Sequence, residues 1–249
     1  MKSLLLLFFI CWNLANPLYG QLSYSCANAH SHNDYAQANP FFGAFDLQCG
    51  SIEADVYLKN GELMVAHFPN EIAPERTLAR LYLQPLANKI NEGKSYKLQL
   101  LIDLKTPASP VLDTLVRQLA RFPTVFGAGK SIQVVVSGNM PKPEDFGRHP
   151  AWLGFDGRFG QVYSEAALQR VPLFSASFGS ISRWQGKGEM PDEDRQKMQE
   201  LIKQAHQKGK KIRFWGTPDS EAVWQELMAA GVDWIGSDTP QKLLDYFKK

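Results

Sequence analysis

The stretch Ser51-Ile52-Glu53-Ala54-Asp55-Val56-Tyr57-Leu58 reads as a mostly apolar β-strand with two acids set into it. Successive side chains of an extended chain point to opposite faces, so the spacing of two puts Glu53 and Asp55 on the same face. Asn60-Gly61 follows as a turn signal, and Leu63–Ala66 is a second apolar run. Together they predict a hairpin that returns His67 to the end of the strand that carries the acids.

Outward from this strand, short apolar runs alternate with helical patterns. The strand candidates are Ala27–His32, Ser51–Leu58, Leu98–Leu104, Ile132–Ser137, Trp152–Asp156, Leu173–Ser177, Ile212–Trp215 and Trp234–Ser237. Amphipathic stretches lie at Thr77–Ile90, Pro110–Arg121, Asp192–Lys208, Ser220–Ala230 and Gln241–Phe247, while Pro141, Pro143 and Pro150 interrupt the segments after the fourth and fifth strands. This alternation implies βαβ units and a parallel sheet, and its length suits a (βα)8 TIM barrel of roughly 250 residues. A doubly wound open sheet is the alternative, but the Gly-rich phosphate loop expected after its first strand is missing. In a barrel the polar residues at strand C-termini are the catalytic candidates. Here those are His32, Glu53 with Asp55, Asp103 with Lys105, Ser137, Asp156, Ser177, Trp215 and Asp238.

The chain has 249 residues, 44% hydrophobic and 21% charged, with a formal net charge of +2. The charges are mixed in sign and form no basic stripe, which argues against a nucleic-acid binder. Residues 1–20 have the order of a secretory signal: Lys2, an apolar run from Leu4 to Trp12, then Asn16, Pro17 and Gly20. The run is shorter than the roughly 20 residues that span a bilayer. Cleavage there predicts a secreted or periplasmic monomer, residues 21–249, forming a single barrel domain. A lipoprotein reading through Cys11 lacks the small residue usual before a lipidated cysteine. Two cysteines remain, Cys26 and Cys49, and in an oxidising compartment they read either as a disulfide or as two buried thiols.

Two carboxylates on one face repel each other unless a cation stands between them. Their hard oxygens favour Mg2+ or Ca2+, and Asp103 on the neighbouring strand offers a third. The plainer reading is a carboxylate pair satisfied by Lys105 or an arginine. His32 and His67 flank the acids, and two imidazoles with pKa values near neutrality suit acid–base work at a phosphodiester.

The strings Gly50-Ser51-Ile52-Glu53-Ala54-Asp55-Val56 and Leu63-Met64-Val65-Ala66-His67 resemble the core motif of the glycerophosphodiester phosphodiesterase and phospholipase C-like superfamily. Ser31-His32-Asn33-Asp34-Tyr35 is similar to a motif of phosphoinositide phospholipases C, and Asp103-Leu104-Lys105-Thr106 to one of sphingomyelinase D. Phe214–Pro218 and Gly231–Asp238 look like the last two strands of glycerophosphodiesterases. Overall the chain resembles the altered inheritance of mitochondria protein 6-like group, in which His30-Ser31-His32-Asn33-Asp34-Tyr35 also occurs. The resemblance implies a phospholipase C-like (βα)8 barrel that cleaves small phosphodiesters or phospholipid headgroups. By residue it implies catalysis by His32 and His67, metal binding by Glu53, Asp55, Asp103 and Asn33, phosphate contact by Lys105, and a substrate groove lined by Trp215. It is thin between Ser137 and Ser180. Asn33 stands where glycerophosphodiesterases carry an arginine. Only 35 residues separate His67 from Asp103, too few for the capping insertion of many of those enzymes, which leaves an open site.

Two other readings use the same residues. His30-x-His32 matches the metal motif of amidohydrolase-like and phosphatase barrels, which need further histidines at later strand ends; only His149 and His206 remain. A non-catalytic secreted barrel that binds an anionic headgroup is the other. For contact with a lipid surface, Phe41, Phe42 and Trp184 are the candidates, with inward packing as the alternative.

Overall fold

The computed structural model describes residues 23–249. The signal segment and Cys11 lie outside the described residues. The strands are β1 (Ala29–Ser31), β2 (Ser51–Lys59), β3 (Glu62–Val65), β4 (Leu98–Leu104), β5 (Ile132–Gly138), β6 (Gly154–Phe155), β7 (Gly157–Arg158), β8 (Leu173–Ser177), β9 (Lys211–Trp215) and β10 (Ile235–Ser237). The helices are α1 (Phe42–Asp46), α2 (Gln84–Asn91), α3 (Ala108–Leu119), α4 (Glu165–Gln169), α5 (Asp192–Gln207), α6 (Glu221–Ala230) and α7 (Pro240–Phe247).

All pairings are parallel except that of β3, which folds back on β2 as the Asn60-Gly61 turn predicts. One run of strands is ordered β10-β1-β2-β4-β5-β6 and a second β7-β8-β9. β6 and β7 are two halves of one strand interrupted at Asp156: Gly154 and Phe155 pair with β5, whereas Gly157 and Arg158 pair with β8. Both sides of the break are tightly packed, and Gly157 has no room for a side chain. A Cβ on Gly157 would stand 2.7 Å from Val171 and 2.8 Å from Phe174, and one on Gly154 would press on Pro172 and Val135. At the other seam an isolated parallel bridge joins Arg213 to Trp234, and the Trp234 N–H donates to Ile212 O at 3.2 Å. Around these seams the described strands follow the eight-strand course of a (βα)8 barrel.

The main core lies between strands and helices, where Ile52, Ala54, Val56, Leu100, Ile102 and Leu104 face outward onto the helical layer. Inside, Leu101, Val135, Leu173 and Trp234 form a separate apolar layer. Above it, register sets Asp55, Asp103 and Ser137 in a row across β2, β4 and β5. The C-terminal ends of the strands are therefore polar on the inside and apolar on the outside.

Where Pro141, Pro143 and Pro150 crowd the chain, β5 is followed only by a 3-10 turn, Pro143–Arg148. A wider π-helical turn, Ala79–Leu83, precedes α2. Phe41 packs inward against Phe45 and Tyr82, is 1% exposed, and so offers nothing to a bilayer. Phe42 is exposed beside Lys89. Trp184 is partly buried, its indole N–H donating to Lys187 O. Of the two readings of Cys26 and Cys49, the structure has free thiols, Cys49 buried and Cys26 partly so. Gly50 N–H donates to Cys26 O at 2.9 Å, so their backbones run side by side, but Cys49 is sealed into the core and burial pushes its thiol up to about 12.

Candidate active site

The Glu53/Asp55 strand ends at a barrel mouth furnished by the turn after β1 and by the β2–β3 hairpin. After β1 the His32 N–H donates to Ser237 O at 3.1 Å, which ties that histidine to β10. The chain then turns through Asn33 at φ 45°. Asp34 holds this turn from within: it accepts from Ser31 Oγ, the Phe41 N–H and Tyr82 OH. The β2–β3 hairpin pairs Val56 with Val65 and carries His67 back beside Asp55.

Asp55 Oδ2 is the most crowded atom of the site. It lies 2.7 Å from Tyr35 OH, 3.1 Å from His67 Nδ1 and 2.9 Å from Lys105 Nζ. The same ammonium is 2.9 Å from Asp103 Oδ1. Burial and the negative charge of Glu53 raise the pKa of Asp55 against the pull of Lys105. Lys105, for its part, is raised because its two carboxylate partners outweigh its own burial. Asn33 Oδ1 accepts from Tyr35 OH at 2.6 Å. Tyr35 thus touches Asn33, Asp55 and His67, a role that its place at the end of the Ser31–Tyr35 motif did not by itself assign.

Glu53 lies two residues before Asp55 on the same face of β2 and has its own set of partners. Its Oε2 lies 3.1 Å from His30 Nε2, 3.5 Å from Arg213 Nη1 and 3.9 Å from His32 Nε2. Burial opposes its ionisation, but the Arg213 charge and the His30 contact outweigh that and hold the carboxyl well below the usual range. His30 is 1% exposed. Its Nδ1 lies 2.8 Å from Ser51 Oγ, and Arg213 Nη1 approaches its Nε2 to 2.6 Å. Burial and the guanidinium lower its pKa to about 4. His30 Nε2 is shared between the Arg213 guanidinium and the Glu53 carboxylate, which places this ring in a buried polar network under the mouth. His149 is in the Pro-rich loop, and His206 pairs with Asp233 at the end of α5 remote from the mouth.

His32 Nδ1 lies 2.8 Å from Asp238 Oδ1. Burial opposes its charging, but the hydrogen bond to Asp238 and the charge of Glu53 prevail, and its pKa is raised. Asp238 is itself held in place by its own N–H donating to Asp219 Oδ2 at 3.0 Å. Arg213, Asp219 and Asp238 join the site although only the strand-end position of Asp238 marked any of them in the sequence.

The two histidines open onto neighbouring hollows. His32 shares one of about 250 Å³ with Trp215, Arg213, Gln185 and Asp238. His67 shares one of about 440 Å³ with Asn33, Gln37, Glu71 and Arg76. Trp215 stands half-exposed on the rim of the first, where a groove residue is expected.

Among the described residues no three acidic, histidine or cysteine side chains converge as a ready metal cage. Two protein cations hold the carboxylates instead: Arg213 on Glu53, and Lys105 on Asp55 and Asp103. The donor chemistry nevertheless fits a hard divalent ion, because two carboxylate oxygens from neighbouring strands already converge on one positive atom, each 2.9 Å away.

Residues 23–97 match the AIM6-like phosphodiesterase domain, and residues 211–241 match the glycerophosphoryl diester phosphodiesterase family. These segments carry His32, Glu53, Asp55 and His67 at one end and Arg213 and Trp215 at the other. Through these two segments the chain is similar to the phospholipase C-like phosphodiesterases and, among them, to the AIM6-like group. It is 27% identical to altered inheritance of mitochondria protein 6 of Eremothecium gossypii, over 84% of this chain and 66% of that one. With the homolog from Arthroderma benhamiae it shares 24% identity, over 88% of this chain and 83% of that one. The chain thus spans just under two thirds of the length of the Eremothecium relative. In fold it is similar to a glycerophosphodiester phosphodiesterase from Parabacteroides distasonis, with a TM-score of 0.59, 17% identity and coverage of 89% and 98% of the two chains. A calcium-dependent phosphoinositol-specific phospholipase C from Pseudomonas gives a TM-score of 0.59 at 12% identity, covering 88% and 92%.

Proposed function

We propose that this AIM6-like domain is a divalent-metal-dependent phosphodiester hydrolase in which His32 and His67 are the acid and the base. The observation that carries the reading is that each imidazole has its Nδ1 committed to a carboxylate, His67 to Asp55 and His32 to Asp238, while they face two different hollows. An ionised carboxylate only accepts, so Nδ1 carries the hydrogen in both rings and Nε2 is left for the substrate.

A diester has two alcohol sides, and in-line displacement needs the entering and leaving oxygens on opposite sides of phosphorus. With the phosphate over the strand ends, one side lies toward His67 and the other toward His32. A hydroxyl of the substrate attacks phosphorus as His67 Nε2 takes its proton. The bond to the leaving oxygen breaks, and that oxygen takes a proton from His32 Nε2, whose raised pKa suits the acid role. The first product is then a cyclic phosphate, opened by water with the two roles exchanged. Lys105 supplies a positive contact to the phosphoryl oxygens. A divalent ion held by Asp55, Asp103 and Glu53 beside Asn33, Mg2+ or Ca2+, would neutralise charge on a non-bridging oxygen.

The substrate is a glycerophosphodiester or a phospholipid headgroup, met in the secreted or periplasmic compartment that the expected signal segment implies. A monomer with passing contact at a membrane surface and no nucleic-acid partner completes the proposal. Phosphorus NMR of a panel of glycero-, inositol- and sphingosyl-phosphodiesters checks it. One diester is expected to give a cyclic phosphate, with turnover abolished by chelator and restored by Mg2+ or Ca2+. Full turnover in excess chelator would refute the metal role.

A further inference from the structure

Three donors surround Asp55 Oδ2: Tyr35 OH at 2.7 Å, His67 Nδ1 at 3.1 Å and Lys105 Nζ at 2.9 Å. An oxygen so surrounded has no free lone-pair direction for a further cation. Two of the three can make way without leaving the site. Tyr35 can turn its hydroxyl hydrogen to Asn33 Oδ1, which frees one direction at Asp55 Oδ2, and His67 is carried by the hairpin, whose Ala66 N–H donates to Asp55 O. Lys105 alone brings a full positive charge to the position a metal ion would take, and it spans the same two carboxylates, Asp55 and Asp103, which are register partners on β2 and β4.

We propose that Lys105 is the resident counter-cation of the metal-free site and competes directly with the divalent ion for Asp55 and Asp103. The inference rests on the metal-dependent reading given above. Without Lys105, two carboxylates side by side on adjacent strands repel each other at the barrel mouth; with it, one of their two charges is offset and the repulsion is bridged before any ion arrives. Entry of the ion expels the ammonium from the shared position, on a side chain that is one-quarter exposed and has four methylenes on which to swing. Metal binding and release of Lys105 are therefore one event. The lysine becomes available to a phosphoryl oxygen only when the metal is in place, and the intrinsic affinity of the acids for the ion is held down by its internal rival.

Calorimetric titration of Mg2+ and Ca2+ into the chelator-treated protein at pH 8, wild type against Lys105→Met, reads this without any turnover. The expected result is binding at least about tenfold tighter in the variant, the size of an ordinary coupling between two ligands that exclude each other. Its metal-free form is expected to melt below the wild type. Equal or weaker binding in the variant, with the wild type still binding, overturns the inference and leaves the metal reading standing. No binding in either protein overturns both. If the variant does not fold, a crystal structure of the wild type grown with Mg2+ decides. Lys105 Nζ is expected to have left at least one of its two carboxylates, whereas both 2.9 Å contacts persisting beside a bound ion would overturn the inference.

Discussion

Asp156 interrupts the fifth strand with a carboxyl group that is 3% exposed, and its Oδ1 has no hydrogen-bond partner. Its Oδ2 accepts from Ser137 at 3.0 Å, and the Arg213 guanidinium stands 3.9 Å away. Burial outweighs the arginine and raises the pKa from 3.8 to about 6. A carboxyl raised in the folded state binds more protons there than in the unfolded chain, so its contribution to stability is present below pH ~4 and is lost as the pH rises through ~6. Asp156→Asn keeps an acceptor for Ser137 and removes the charge. It is expected to stabilise the protein by about 3 kcal/mol at pH 8, one pKa unit being worth about 1.4 kcal/mol. Thermal melts at pH 8 and pH 4 check this: the gain should be present at the first and gone at the second. At this scale the sequence offered only strand-end positions. It marked Asp156 as polar and near a mouth, but could not say that Arg213, from a strand distant in sequence, would be its neighbour. Glu53 makes the same point, since its spacing from Asp55 predicted a shared face yet not that each acid would take a different protein cation.

Among the elements, the β4–β5 pair shows how backbone and chemistry are matched. Gly138 closes β5 at φ +71°, and a Cβ there would lie 2.5 Å from Leu104 O and 2.7 Å from Asp103 Oδ1. Gly138→Ala therefore strains a left-handed residue and presses on the strand that carries Asp103 and Lys105. A loss of more than about 2 kcal/mol in a denaturant titration is expected, together with reduced turnover. The hairpin that delivers His67 was legible, because Asn60-Gly61 between two apolar runs has few other uses. Most strands were also legible within a residue or two, since each is an apolar run closed by a polar residue. The fifth was drawn as one strand, Trp152–Asp156, but is split around Asp156. That break depends on the close approach of Val171, Pro172 and Phe174 to two glycines, a tertiary contact that no local pattern encodes.

For the molecule as a whole, the parallel course of the strands gathers polar strand ends from residues 30 to 238 at one mouth, with an apolar plug beneath them. The interior acids outnumber the cations that hold them: Glu53 and Asp156 face Arg213, and Asp55 with Asp103 faces Lys105. His206, paired with Asp233 at 2.8 Å, belongs to the opposite end of the barrel and serves as an internal control. The most direct test is steady-state turnover of a chromogenic hydroxyalkyl aryl phosphodiester in Mg2+ by the wild type, His67→Ala and His206→Ala. General acid–base groups contribute on the order of 10²–10⁴ in rate, so His67→Ala is expected to lose at least about a hundredfold in kcat while His206→Ala keeps wild-type activity. Equal activity in the two variants would contradict the assignment of His67 and, with it, the account of the site.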